Sequence, residues 1–273
     1  MISRSARRTR RTLQAAGAGA ALLLALTACS SSSDSAADSD PSSSGSPKLS
    51  GTVTVFAAAS LKESFTALGK EFEKEHPGTK VTFSFGGSDS LAASITGGAP
   101  ADVFAAASAR TMAIVTDAKA ADGTPSTFVR NELEIATLPG NPDKIASLKD
   151  LTKSGLKVVL CDKTVPCGAA AEKALQAGDL KLTPVSYEQD VKSALTKVEL
   201  KEADAAVVYK TDVKSAGGKV EGVDFPESAE AINDYPITLL KDAPNPEAAK
   251  AFMELVKSAA GQQVLTEAGF LKP

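Results

Sequence analysis

Tryptophan is absent from this 273-residue chain, histidine occurs once, at His76, and cysteine three times, at Cys29, Cys161 and Cys167. Each shortage removes a class of chemistry. Without tryptophan, and with 5% aromatic residues in all, there is little from which to build a stacking platform for bases or sugars. A hydrolase using Ser60 or Ser88, or a cysteine enzyme using Cys167, would lack a general base other than His76, and no G-x-S-x-G elbow occurs. Two cysteines and one distant histidine do not have the spacing of a zinc site. Beyond the N-terminus no apolar run approaches the length that spans a bilayer.

The N-terminus is rich in what the rest lacks. Residues 1–28 carry five arginines, no lysine and no acid, and an apolar stretch at 15–26 follows them. That is the pattern of an export signal, too short for a finished transmembrane helix. Leu26-Thr27-Ala28-Cys29 comes directly after and resembles the lipobox of bacterial lipoproteins, which implies that Cys29 becomes the lipidated first residue of the mature chain. The arginine pairs do not decide between Sec and twin-arginine export. Residues 30–47 then contain ten serines, three aspartates and two prolines, a composition that cannot bury a core and reads as a flexible tether. The expected product is a globular domain, 48–273, anchored by lipid on the extracytoplasmic face of the cell membrane.

Removal of the signal changes the charge. Without its five arginines, 25 basic residues face 33 acidic ones, a net charge of −8. Such a balance argues against nucleic acid or an anionic membrane surface as partner. Any anion site must then rely on local dipoles.

From residue 49 onward, short β-branched runs alternate with helical patterns. Residues 52–56 read as a buried strand, and Leu61, Phe65, Leu68 and Phe72 then repeat at helical spacing. Ser60 stands at that junction, where its hydroxyl could cap the helix while first-turn N–H groups face outward. The same turn recurs at Gly86-Gly87-Ser88 after a strand at 81–85. Further strands are expected at 101–104, 131–138, 156–160, 205–209 and 234–240, with helices from 108, after 168, from about 188 and over 245–273. This alternation implies α/β architecture with mostly parallel sheets and binding loops at their carboxyl edges. The extended segments 131–138 and 234–240 can cross between two lobes, 48–130 plus 237–273 and 131–236, permitting hinge closure. Cys161 and Cys167 share one exported loop, which favours a disulfide and leaves free thiols as the alternative.

VFAAASL (55–61), the FGGSDSL turn (85–91), GAPADVFAAAS (98–108), VPCG (165–168), DVKSALTKVE (190–199) and AAVVYKTD (205–212) resemble the molybdate-binding proteins of ABC importers. The resemblance runs through the whole of 49–273 in one order. It implies a two-lobed, type II periplasmic-binding-protein fold that closes on molybdate or tungstate and delivers it to a membrane permease, with no enzymatic activity, no separate cofactor and a monomeric state. Carried over by motif, the ligand contacts fall on Ser60, Ser88, Cys167, Val191 and Tyr209. The serines would give hydroxyl and amide donors, Tyr209 its phenol, and Cys167 and Val191 backbone N–H groups. Cys167 stands where the family commonly has alanine, but a backbone donor is indifferent to its side chain. Asp89, beside Ser88, is expected to face outward and complement the helix dipole. Fixed donors would reject a protonated oxyanion, whose O–H finds no acceptor. Sulfate, phosphate and thiosulfate remain alternative ligands. A ferric-ion binder of similar architecture would need clustered tyrosines, and only Tyr187, Tyr209 and Tyr235 exist.

Overall fold

The computed structural model describes residues 48–273. The signal segment, Cys29 and the serine-rich tether lie outside the described residues.

Along the chain, β1 (Gly51–Ala58) leads through a 3-10 turn (Ala59–Leu61) into α1 (Lys62–Glu75), then β2 (Thr79–Gly86), α2 (Ser88–Thr96), β3 (Val103–Ala105) and α3 (Ala109–Asp117). β4 (Ala121–Asn131) and β5 (Leu133–Thr137) follow without an intervening helix, and β6 (Val158–Cys161), α4 (Pro166–Ala177), β7 (Ser186–Glu188), α5 (Val191–Glu199), β8 (Ala205–Tyr209), α6 (Lys210–Ser215) and β9 (Glu221–Val223) continue the order. The chain ends with β10 (Asn233–Leu240), α7 (Pro246–Lys257) and α8 (Ala259–Glu267).

Two five-stranded sheets result, ordered β2-β1-β3-β10-β4 and β7-β6-β8-β5-β9. In the first, β1 pairs in parallel with β2 and β3, and β10 runs antiparallel between β3 and β4. In the second, β6 pairs in parallel with β7 and β8, and β5 runs antiparallel between β8 and β9. Each sheet therefore has one reversed strand, and the four others point the same way. The chain passes from one sheet to the other at Glu132 and returns at Ile232, so the adjacent ends of β4 and β10 form a paired crossing with Asn131 opposite Asn233.

The packing explains why these segments fold as they do. Val53, Val55 and Ala57 of β1 are fully buried, and α1 lays Phe65, Leu68 and Phe72 against them. Phe65, Phe72, Phe83 and Phe252 meet edge to face or tilted, joining α1, β2 and α7 in one core. The second sheet has a separate core of smaller residues, with Val158, Val159, Ala205 to Val208, Ala174, Leu195 and Val198 all buried. Three strands, β4, β7 and β9, were not read from the sequence. The 11-residue β4 carries Pro125 and five exposed positions among its first seven, so it lacks the alternation that marks a strand, and its pairing with β10 is what makes it one. β7 and β9 have three residues each and are sheet edges, too short to show a period.

Candidate ligand-binding site

The turns that matter all lie just past the carboxyl ends of strands: Ser60 after β1, Ser88 after β2, Cys167 after β6, Val191 after β7, and Tyr209 as the last residue of β8. These residues, two from one sheet's turns and three from the other's, line a single small cavity together with Ala58, Gly86, Gly87, Ala107, Pro166 and Asp190. All five are buried, none being more than 4% exposed. The cavity has a volume of about 10 Å³. Drug-sized ligands need several hundred cubic ångströms, so the space suits a compact ion or molecule.

The donors come from helix starts. Ser88 and Val191 are the first residues of α2 and α5, and Cys167 is the second residue of α4, behind Pro166. First-turn N–H groups have no acceptor within their own helix and carry its positive dipole end. No lysine or arginine lines the cavity. The carboxylate of Asp190 is directed elsewhere, accepting from the backbone N–H and hydroxyl of Ser193 at 2.9 and 3.0 Å as the cap of α5.

Ser60 differs from its sequence reading. It lies inside the 3-10 turn, neither that turn nor α1 has a side-chain cap, and the Ser60 hydroxyl instead meets the Tyr235 hydroxyl at 2.8 Å. Capping is thus not its task. The Ser88 hydroxyl is likewise drawn away from capping, accepting from the Ala107 N–H at 3.0 Å. Asp89 does not line the cavity, but neither is it free in solvent: it is half-buried, its Oδ2 lies 3.4 Å from the Thr164 hydroxyl, and its Oδ1 has no hydrogen-bond partner.

Contacts of this kind join the two halves around the cavity. The Arg110 guanidinium donates to the Thr164 carbonyl at 2.6 Å, and Lys192 bridges Glu63 of α1, at 2.9 Å, and Asp212 of α6, at 3.2 Å. Burial raises the Asp212 carboxyl to about 6 against the pull of Lys192 and of the Tyr209 N–H that it accepts. Burial also works against the Lys192 charge, but Asp212 and Glu63 together hold its ammonium above the ordinary lysine range.

Cys161 and Cys167 are joined by a disulfide with their Cα atoms 5.8 Å apart, closing the turn that presents the Cys167 N–H. The turn is tight enough that a Cβ at Gly168 would overlap the Asp162 carbonyl. Closing so short a loop restricts the unfolded chain by about 2 kcal/mol. Cys161→Ser should therefore lower the thermal midpoint by several degrees, an effect that reductant should reproduce in the wild-type protein and leave absent in the variant.

Three residues of the site region were not singled out from sequence, namely Asn131, Asn233 and Tyr235. They sit at the crossing between the sheets, buried, and the asparagines carry no local sequence signal, since Asn131 lies between Arg130 and Glu132 and Asn233 precedes Asp234. Among the described residues no cluster of histidine, cysteine, aspartate or glutamate could hold a metal ion, and no helix is long and apolar enough to cross a membrane.

Comparison with known proteins agrees with this architecture. The family model described as bacterial extracellular solute-binding protein matches residues 53–271. The molybdate-binding protein ModA of Mycobacterium tuberculosis is 44% identical over 222 residues, covering 81% of this chain and 85% of that protein. The molybdate-binding protein ModA of Escherichia coli is 32% identical over 230 residues, 81% of this chain and 89% of that protein. Among solved structures, the periplasmic molybdate-binding protein of Azotobacter vinelandii superposes with a TM-score of 0.71 at 20% identity, covering 81% of this chain and 99% of that one, and so shares the two-lobed fold. The chain belongs to the bacterial extracellular solute-binding protein family.

Proposed function

We propose that this protein captures molybdate, and tungstate with it, outside the cytoplasmic membrane and hands it to the permease of an ABC importer. One observation carries the reading: Ser60, Ser88, Cys167, Val191 and Tyr209 converge, buried, on one small cavity that contains no counter-charge. Relatives across most of the chain bear the name molybdate-binding protein, which supports the choice of ion.

The binding chemistry follows from the donors. A dianion held by several neutral O–H and N–H groups in a dry cleft gains charge-assisted hydrogen bonds, roughly twice as strong as neutral ones. Helix N-termini add favourable dipoles from α2, α4 and α5. Cys29 would carry the lipid that keeps the domain at the membrane, and the chain would work as a monomer whose lobes, divided near Glu132 and Ile232, close on the ion. Sulfate or phosphate is the alternative ligand, because other tetrahedral oxyanions offer the same acceptor oxygens.

A thermal-shift series tests the reading. Molybdate and tungstate at equal concentration should raise the midpoint by mass action, and sulfate and phosphate should raise it less. No shift with any of the four would contradict it.

Closure imposes its own requirement at Gly87. A Cβ there would sit 2.5 Å from the Gln189 carbonyl, which belongs to the opposite half of the cleft. The backbone at Gly87 is ordinary extended chain, so an alanine strains nothing in that residue itself. Gly87→Ala should hold the cleft ajar and weaken oxyanion binding about tenfold or more, on the order of one charge-assisted hydrogen bond. The ligand-free melting temperature should hardly change. Unchanged affinity by titration calorimetry would show that the contact is not part of closure.

A further inference from the structure

A hydroxyl can donate one proton and accept others, so a serine or tyrosine beside an anion is a reliable donor only if its proton has nowhere else to go. The crossing between the sheets settles that question for two of the site hydroxyls. Asn131 accepts the Glu132 N–H through Oδ1 at 3.0 Å, which turns its amide nitrogen toward the Thr211 hydroxyl at 2.9 Å and the Tyr235 hydroxyl at 3.3 Å. The Tyr235 oxygen therefore accepts. The 2.8 Å contact between the fully buried Tyr235 and Ser60 can run either way, and with the Tyr235 oxygen already taken by Asn131 the assignment that uses every proton has Tyr235 donate to Ser60. Ser60 in turn accepts, and its proton is left for the cavity that it lines.

The same logic holds at Tyr209. Asn233 donates to the Ala107 carbonyl at 2.7 Å, and a carbonyl can only accept, so the nitrogen rather than the oxygen of that amide also faces the Tyr209 hydroxyl at 3.0 Å. Tyr209 accepts there, and its neighbour Tyr235 already receives Asn131 and gives its proton to Ser60. The Tyr209 proton thus lies between the Tyr235 oxygen, already engaged by Asn131, and the cavity, where an anion is the stronger acceptor. Burial holds both phenols well above the ordinary tyrosine range, so neither loses its proton at neutral pH.

We infer that Asn131, Tyr235 and Asn233 are positioning residues that set the proton direction of Ser60 and Tyr209, making these hydroxyls donors toward the ligand and thereby setting selectivity for fully deprotonated oxyanions over protonated ones. The inference rests on the oxyanion reading of the site. Its chemical content is discrimination: molybdate carries no proton near neutral pH, whereas phosphate always carries at least one, and that O–H meets only other donors.

Tyr235→Phe removes the proton that Ser60 accepts, leaving the serine free to rotate and accept from a ligand O–H. Asn233→Ala frees Tyr209 in the same way. The experiment measures molybdate affinity by titration calorimetry, and the phosphate concentration that displaces half of the bound molybdate, for the full protein and both variants at pH 7. Molybdate affinity should fall about tenfold in each variant while phosphate affinity stays unchanged, so that discrimination narrows about tenfold, equivalent to about 1.4 kcal/mol. A purely structural role would weaken both anions together and leave the ratio unchanged, and that result in both variants overturns the inference, as does wild-type affinity for both ions. Melting without ligand establishes that each variant is folded, and Asn233→Ala decides the matter if Tyr235→Phe does not fold. If the wild-type protein itself binds no oxyanion, the reading of the site fails and the inference with it, a result distinct from an unchanged ratio.

Discussion

Replacing Ser88 by alanine and Tyr209 by phenylalanine in one chain should weaken oxyanion binding about a hundredfold, since each charge-assisted hydrogen bond is worth on the order of 1.5 kcal/mol or more. Both changes are close to isosteric. Ser88 and Tyr209 are 1% exposed and line the same cavity from opposite halves, so each lost proton leaves part of the anion desolvated with no water to replace it. The effects need not add, because the two hydroxyls share a neighbour: Ser88 accepts the Ala107 N–H, and Asn233 bridges the Ala107 carbonyl to Tyr209. Each single variant should lose about tenfold, measurable by titration calorimetry. Full affinity in the double variant would mean that the cavity is not where the ligand sits.

The second large effect is on stability. Lys192→Met strips the counter-charge from Asp212, whose side chain has no solvent exposure, and breaking such a pair from one side costs about 3 kcal/mol at neutral pH. The cost depends on pH with a definite sign. The Asp212 carboxyl rises from an ordinary 3.8 in the unfolded chain to about 6 in the fold, so the folded state holds this proton more tightly, and stability from this group falls as pH rises between those values. Without Lys192 the folded value rises further. Denaturant melts should therefore show wild type and variant nearly alike at pH 4.5 and diverging above pH 6. A gap that is constant with pH would place the effect in lost packing of the lysine stem and not in Asp212. Glu63, half exposed at 49%, is the outer partner and should matter far less, as surface pairs do.

The parts of the site that sequence revealed are those made by a local pattern. A strand, a small-residue turn and a helix start can be read from a dozen consecutive residues, which is how Ser60 and Ser88 were found, whereas Cys167, Val191 and Tyr209 came from the resemblance to the molybdate-binding proteins. Their roles needed three dimensions. Ser60 has the composition of a helix cap, yet Tyr235, 175 positions away, takes its hydroxyl instead. Asp89 has the position of an outward first-turn acid, yet it is half-buried, with Oδ2 against the Thr164 hydroxyl of the other half of the cleft and Oδ1 buried without a partner. The long β4 escaped notice because a strand covered by one partner and exposed on its other side need not alternate, and its partner β10 lies more than a hundred residues later. Asn131 and Asn233 face each other across that pairing, and nothing in either local sequence announces the other.

In the proposed function, five donors from two halves of the molecule close on one tetrahedral oxyanion. Titration calorimetry of the purified protein with molybdate, repeated with sulfate as competitor, tests it most directly. A single site per chain, tight binding of molybdate, and displacement by sulfate only in large excess are expected. Absence of a binding isotherm, or sulfate displacing molybdate at equal concentration, would contradict it.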